Sequence, residues 1–189
     1  VKCSAQRKEL LTHFASRSGM DIQGFGKETI ETLVDDGLLV DQFSFYELRT
    51  GTLVASSLNC TERYAHKLIE AIEKSRHQPL SRFIYALGIR YVGEGTSKRL
   101  LSRYQDLKEI MNLSYEDLIK IEDVGETTAQ SIIDYFQNTD NRKMCEKFIK
   151  ILIDKPSRSA PKPLQGLQYA ISGSLPSMSR DELSARLEE

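Results

Sequence analysis

Residues 90–97 of the chain read RYVGEGTS, and residues 122–129 read EDVGETTA. The two segments carry a Val-Gly pair at the same position, 32 residues apart. Counted from the last residue of each segment, apolar side chains follow at offsets 3, 4 and 7, namely Leu100, Leu101 and Tyr104, and Ile132, Ile133 and Phe136. That spacing places them on one face of a helix. We therefore predict a repeated unit in which a glycine turn opens a helix.

Two further copies lie upstream in the same register. Residues 58–61 read LNCT and precede Ala65, Leu68, Ile69 and Ile72; residues 24–26 read GFG and precede Ile30, Leu33 and Val34, with Gly37 in the last position. A helix is also predicted before the later turns, over residues 80–87 and from a capping-box start at Ser114. The fold class that follows is mainly α, with four tandem units of helix, turn and helix.

A glycine turn that leads into a helix N-terminus is suited to binding an anion. Glycine supplies a positive φ and lets another backbone approach, and the first N–H groups of the helix have no intrahelical acceptor. A phosphate oxygen fits such a site, and contacts of this kind read no bases. The alternative is that each glycine only connects two helices.

The charge distribution separates the four turns. The whole chain of 189 residues has a net charge of −1, from 26 Lys and Arg against 27 Asp and Glu. Residues 76–103 have a net charge of +5 and residues 104–140 a net charge of −7. The third turn is therefore the best phosphate site, and the fourth must rely on its backbone. The candidate DNA-binding residues are Gly24, Gly26, Arg90, Gly93, Gly95, Lys98, Arg99 and Gly125.

The repeated unit resembles the helix-hairpin-helix family of DNA-binding modules. That family has a hydrophobic residue and a glycine at the hairpin and a small residue four positions later, as in Val92-Gly93 with Ser97 and Val124-Gly125 with Ala129. Phe25-Gly26 matches the first two positions. The second unit departs, because Cys60-Thr61 replaces the hydrophobic-Gly pair. We expect that unit to pack and not to contact phosphate.

Over its whole length the chain resembles bacterial NAD-dependent DNA ligases, most specifically in ALGIRYVGE at residues 86–94. Residues 1–19 resemble the end of that family's zinc module and a connecting helix, and residues 20–153 its helix-hairpin-helix domain. Residues 154–165 hold three of the five prolines and read as a linker. Residues 166–189 resemble the first strand and helix of a BRCT domain, a truncated α/β piece. We expect a fragment, since the chain begins at Val1 and stops within an amphipathic stretch.

The resemblance implies a parent enzyme that seals nicks with a 3′-hydroxyl and a 5′-phosphate during replication and repair, using NAD, magnesium and zinc. Cys3 would be the last of four zinc ligands, and Cys60 and Cys145 do not replace the other three. The family's lysine nucleophile lies in a K-x-D-G motif, and this sequence contains no such motif. No catalytic residue is therefore assigned, and the fragment is expected to be inactive alone. No cofactor is expected in the fragment itself. The implied partners are nicked duplex DNA and the remaining ligase domains, in the bacterial cytoplasm at the nucleoid.

No apolar run approaches the length of about 20 residues that a membrane span needs. Two other interpretations stay open: a different hairpin-repeat protein of DNA repair, and an α-helical scaffold for protein interactions. Salt separates the scaffold from a DNA-binding protein, because phosphate binding weakens log-linearly with salt and an apolar interface does not.

Overall fold

The computed structural model describes residues 4–152, which belong to one compact unit with bounds at Val1–Pro156. Cys3, the linker and the BRCT-like segment lie outside the described residues. The mainly helical prediction is confirmed, and residues 4–152 contain no strand. The helices are α1 (Ser4–Ala15), α2 (Lys27–Asp35), α3 (Thr50–Val54), α4 (Glu62–Ser75), α5 (Leu80–Ala86), α6 (Glu94–Arg103), α7 (Leu107–Ile110), α8 (Tyr115–Leu118), α9 (Glu126–Gln137) and α10 (Thr139–Ile151), with a 3₁₀ segment at Phe43–Glu47.

The turns before α2, α4, α6 and α9, here called hairpins 1 to 4, share one backbone feature. The residue two positions before the helix N-cap has a positive φ in each, at Gly24 (89°), Asn59 (47°), Tyr91 (65°) and Asp123 (59°). The next residue turns inward and is buried in hairpins 1, 3 and 4, as Phe25, Val92 and Val124. Its N–H donates to the carbonyl three residues earlier, at Ile22, Ile89 and Ile121. Hairpins 1, 3 and 4 are therefore tight turns anchored in the core by two buried residues each.

The expectation that the hairpin glycines supply the positive φ is correct only for Gly24. Gly26, Gly93 and Gly125 are the N-cap residues of α2, α6 and α9, with φ of −70°, −91° and −80° and extended ψ. The turn needs its left-handed residue two positions earlier, because the N-cap must already be extended to begin the helix. These three glycines are thus not required by backbone conformation.

The predicted start of α8 is confirmed. The N–H of Asp117 donates to Ser114 Oγ at 3.2 Å, and the Ser114 hydroxyl donates to the Asp117 carboxylate at 2.8 Å. This exchange fixes the beginning of a helix of only four residues.

Helix α10 completes the core with a residue that helical periodicity did not single out. The Phe148 side chain is fully buried. Its ring centroid lies 4.7 Å from that of Phe83, 5.8 Å from that of Phe14, and 5.2 Å from that of Phe43. These three residues precede hairpins 3, 1 and 2 respectively, so a single aromatic cluster ties the first three units to the last helix.

Candidate nucleic-acid interface

Helices α2, α6 and α9 begin at an exposed glycine. No side chain caps Gly26, Gly93 or Gly125, and a Cβ built on any of them meets no atom within 4 Å. The first-turn N–H groups of these helices therefore have no intrahelical or side-chain acceptor among residues 4–152. Open space in front of unpaired donors at the positive end of a helix is the arrangement that accepts an anion.

Hairpin 2 differs at this point. The Thr61 hydroxyl accepts a hydrogen bond from the N–H of Tyr64 at 3.3 Å, so the protein itself occupies the position that an anion would take before α4. Cys60, the residue before the cap, is only half-buried. This geometry agrees with the expectation that hairpin 2 packs without contacting phosphate, and that expectation remains a prediction.

Gly24 has an internal reason to be glycine. Its φ is 89°, and a Cβ there would lie 2.5 Å from Leu68 Cδ2, because α4 packs directly on hairpin 1. The Tyr64 hydroxyl also donates to the Gly24 carbonyl at 3.4 Å. Of the two candidate glycines in hairpin 1, Gly26 is therefore the one that faces open space.

Besides Gly93, the four candidate residues around hairpin 3 occupy different surroundings. Lys98 is exposed and makes no ion pair within residues 4–152. Arg90 is exposed at the turn, with its guanidinium 4.9 Å from the centre of the Tyr91 ring. Gly95 lies in the first turn of α6, where a Cβ would approach the guanidinium of Arg99 to 3.2 Å. Lys98 and Arg90 are thus exposed positive charges beside the uncapped helix.

Arg99 connects hairpin 3 to hairpin 4. Its Nη2 lies 2.5 Å from Oδ2 of Asp123, the positive-φ residue of the fourth turn. A second bond also joins α6 to the segment before hairpin 4: Arg103 Nη1 donates to the Lys120 carbonyl at 3.1 Å. The guanidinium of Arg99 is therefore engaged with a carboxylate of the acidic hairpin. The charge pattern of the sequence predicts only a phosphate contact for Arg99, because a charge count along the chain cannot reveal a partner 24 residues away.

Tyr91 was not singled out in the sequence. Its side chain is 54% exposed although its backbone is in the left-handed region, which costs a residue with a Cβ about 1–2 kcal/mol. Aligning the four hairpins gives the missing signal: the other residues at this position are Gly24, Asn59 and Asp123, all of types that tolerate a positive φ.

Within residues 4–152 no group of three or more His, Cys, Asp or Glu side chains is placed to hold a metal ion. The same part of the chain contains no helix with both the length and the hydropathy of a membrane span. The candidate interface consists of backbone donors and basic side chains, a combination suited to binding an anion.

Comparisons with known proteins agree with this chemistry. A family model described as a helix-hairpin-helix motif matches residues 82–145, which contain hairpins 3 and 4. The chain is homologous to the DNA ligase of Saccharophagus degradans, with 39% identity, and to that of Cellvibrio japonicus, with 37% identity. Each match covers 98% of this chain and 28% of the relative, so the chain spans little more than a quarter of the length of these ligases.

Proposed function

We propose that this chain is a duplex-DNA-binding portion of an NAD-dependent DNA ligase, built from four tandem helix-hairpin-helix units. The observation that carries the proposal is the set of three helices that begin at exposed, uncapped glycines above open space. Homology to DNA ligases supports DNA as the source of the anion.

In this proposal the phosphates of the DNA backbone lie against the N-termini of α2, α6 and α9. The backbone N–H groups donate to phosphate oxygens, and Arg90 and Lys98 add charge at hairpin 3. No base is read, so the chain binds any sequence on either side of a nick. Its contribution to ligation is to hold the nick ends beside the active site of the parent, which makes their reaction effectively intramolecular.

The parent enzyme supplies the chemistry. We propose that its other domains hold the lysine nucleophile and the binding sites for NAD and magnesium, and that this fragment alone is inactive. Cys3 lies outside the described residues and would need three further zinc ligands from the parent. The assignment of residues 166–189 to a BRCT domain, a cytoplasmic location at the nucleoid, and roles in replication and repair rest on the resemblance to the ligase family.

The test is binding of the chain to nicked and intact duplexes of random sequence across a salt series. We expect the logarithm of the association constant to fall linearly with the logarithm of the salt concentration, by about 0.9 for each phosphate contacted. Lys98→Gln should reduce that slope by about one contact. Binding to DNA that does not respond to salt would refute the proposed phosphate contacts. No binding at low salt would refute the proposal as a whole and is the outcome that a protein scaffold predicts.

A direct assay addresses the enzymatic claim. With NAD and magnesium present, the chain alone should seal no nicks. It should nevertheless bind DNA without the remaining domains of a ligase. Sealing by this chain alone would refute the assignment of the catalytic residues to other domains.

A further inference from the structure

Tyr91 occupies a position that the fold gives to small, turn-forming residues in the other hairpins. It has a φ of 65°, where hairpins 1, 2 and 4 have Gly24, Asn59 and Asp123. An aromatic residue is poorly suited to this backbone conformation. Asn or Gly at position 91 would relieve this backbone strain and so favour the folded state.

The strained residue contributes nothing to the core. The Tyr91 side chain is 54% exposed, and its hydroxyl makes no hydrogen bond within residues 4–152. Its contact within the hairpin is with the Arg90 guanidinium, 4.9 Å from the ring centre. Val92 beside it is buried and anchors the turn, and Gly93 begins the uncapped helix. Tyr91 therefore stands next to the proposed phosphate site, held from one side by a cation.

We propose that the Tyr91 ring is a non-ionic DNA contact of hairpin 3. The inference rests on the proposed function and adds to it: the ring packs against the deoxyribose and base edge of the nucleotide whose phosphate lies at the N-terminus of α6. The apolar face of the deoxyribose is the same in every nucleotide, so a ring packed against it contacts DNA of any sequence. Arg90 both orients the ring and faces the neighbouring phosphates.

Tyr91→Asn tests the proposal, because Asn occupies the equivalent position of hairpin 2 and relieves the strain. We expect the Kd for duplex DNA to rise about tenfold at every salt concentration, with an unchanged salt slope, since no charge is removed. The melting temperature should stay the same or rise by about 2–4 °C. Tyr91→Phe should bind like the unmodified chain, and Asn59→Gly, at the same position of hairpin 2, should leave DNA binding unchanged.

The outcomes separate this inference from the proposed function. If the unmodified chain binds DNA and Tyr91→Asn binds equally well, the Tyr91 contact is refuted and the proposed function stands. A reduced salt slope in Tyr91→Asn would also overturn it, because the loss would then be ionic, and so would a lower melting temperature, which would give Tyr91 a structural role. If the unmodified chain fails to bind at low salt, both proposals fall.

A spectroscopic probe gives an independent readout. The chain contains no tryptophan, so Tyr91→Trp introduces a single indole at the proposed contact. Its fluorescence should become at least several-fold less accessible to acrylamide when duplex DNA is added. Equal accessibility with and without saturating DNA would overturn the proposal.

Discussion

Replacing Gly93 by alanine tests whether position 93 must be glycine for DNA binding or for folding. The φ of Gly93 is −91° and its ψ is −179°, an extended conformation that alanine adopts freely. A Cβ there meets no protein atom within 4 Å. The new methyl group therefore projects into the space where the proposal places a phosphate, and it strains nothing in the free protein.

The expected effect on stability is small because two contributions oppose each other. Alanine lowers the conformational entropy of the unfolded chain, which stabilises the fold by about 0.4–1 kcal/mol. Alanine is also a poorer N-cap than glycine, by roughly the same amount. The free energy of unfolding should stay within about 1 kcal/mol of its original value, and the melting temperature should move by no more than about 4 °C.

The expected effect on DNA binding is larger. A methyl group moves the phosphate away from the N–H groups of α6, and a hydrogen bond to a charged group contributes about 1.5–3 kcal/mol. The loss of one such bond raises the Kd by about 10- to 150-fold. The salt slope should not change, because Gly93→Ala removes no charge.

The assay is fluorescence anisotropy with a labelled nicked duplex at several salt concentrations, beside a thermal melt of each variant. Gly51→Ala is the matched control, since Gly51 lies in α3 and a Cβ there also meets nothing within 4 Å. Gly51→Ala should bind DNA normally. If Gly93→Ala also binds DNA normally while both variants remain folded, the N-terminus of α6 is not a phosphate site and the reasoning is refuted.

Three further perturbations have defined outcomes. Asp123→Asn should release Arg99 to bind a phosphate, which steepens the salt slope of DNA binding by about one contact. Its cost in stability should stay below about 1 kcal/mol, because the ion pair is partly exposed. An unchanged slope in the salt series would contradict this. Phe148→Ala should lower the free energy of unfolding by about 3–5 kcal/mol in a denaturant titration, and a loss below about 1 kcal/mol would contradict the central role of this ring. Burial raises the pKa of Cys145 from 9.0 to about 12 and that of Tyr46 from 10.0 to about 12. Each group binds its proton more tightly in the folded chain, so its contribution to stability should be lost as the pH rises, from about pH 9 for Cys145 and from about pH 10 for Tyr46, up to pH 12. Unfolding at a series of pH values should show a fall of up to about 1.4 kcal/mol per pH unit for each group.

The parts of the fold that the sequence predicted are those whose cause is local. In α4, the apolar positions predicted to share one face include Ala65, Leu68 and Ile72, and all three are buried, because the period of a helix is visible within a single turn of sequence. The start at Ser114 was equally local. Helix α10 was not predicted, because the importance of Phe148 arises from rings that are brought to it by three separate parts of the chain.

The glycines of hairpin 1 show a different limit of prediction from sequence. Gly24 and Gly26 look alike in the string GFG, yet Gly24 is fixed by its positive φ and by Leu68, whereas Gly26 faces open space. Which of two neighbouring glycines meets a packed side chain depends on where α4 lies. The repeat alignment located both glycines, and only the packing of α4 on hairpin 1 assigned them different roles.

The acidic character of hairpin 4 has a structural answer in the ion pair between Arg99 and Asp123. An unpaired carboxylate at the turn would repel a phosphate approaching the N-terminus of α9, most strongly at low salt. Because α6 supplies a guanidinium 2.5 Å from that carboxylate, Asp123 has a positive partner, whereas Glu122 and Glu126 beside Gly125 are exposed and form no ion pair within residues 4–152. Arg99, a cation of hairpin 3, is thus paired with an acid of hairpin 4. In our proposal the two hairpins therefore bind phosphate differently. Lys98 and Arg90 contribute charge at the third hairpin, whereas the backbone N–H groups at the N-terminus of α9 make the contact at the fourth.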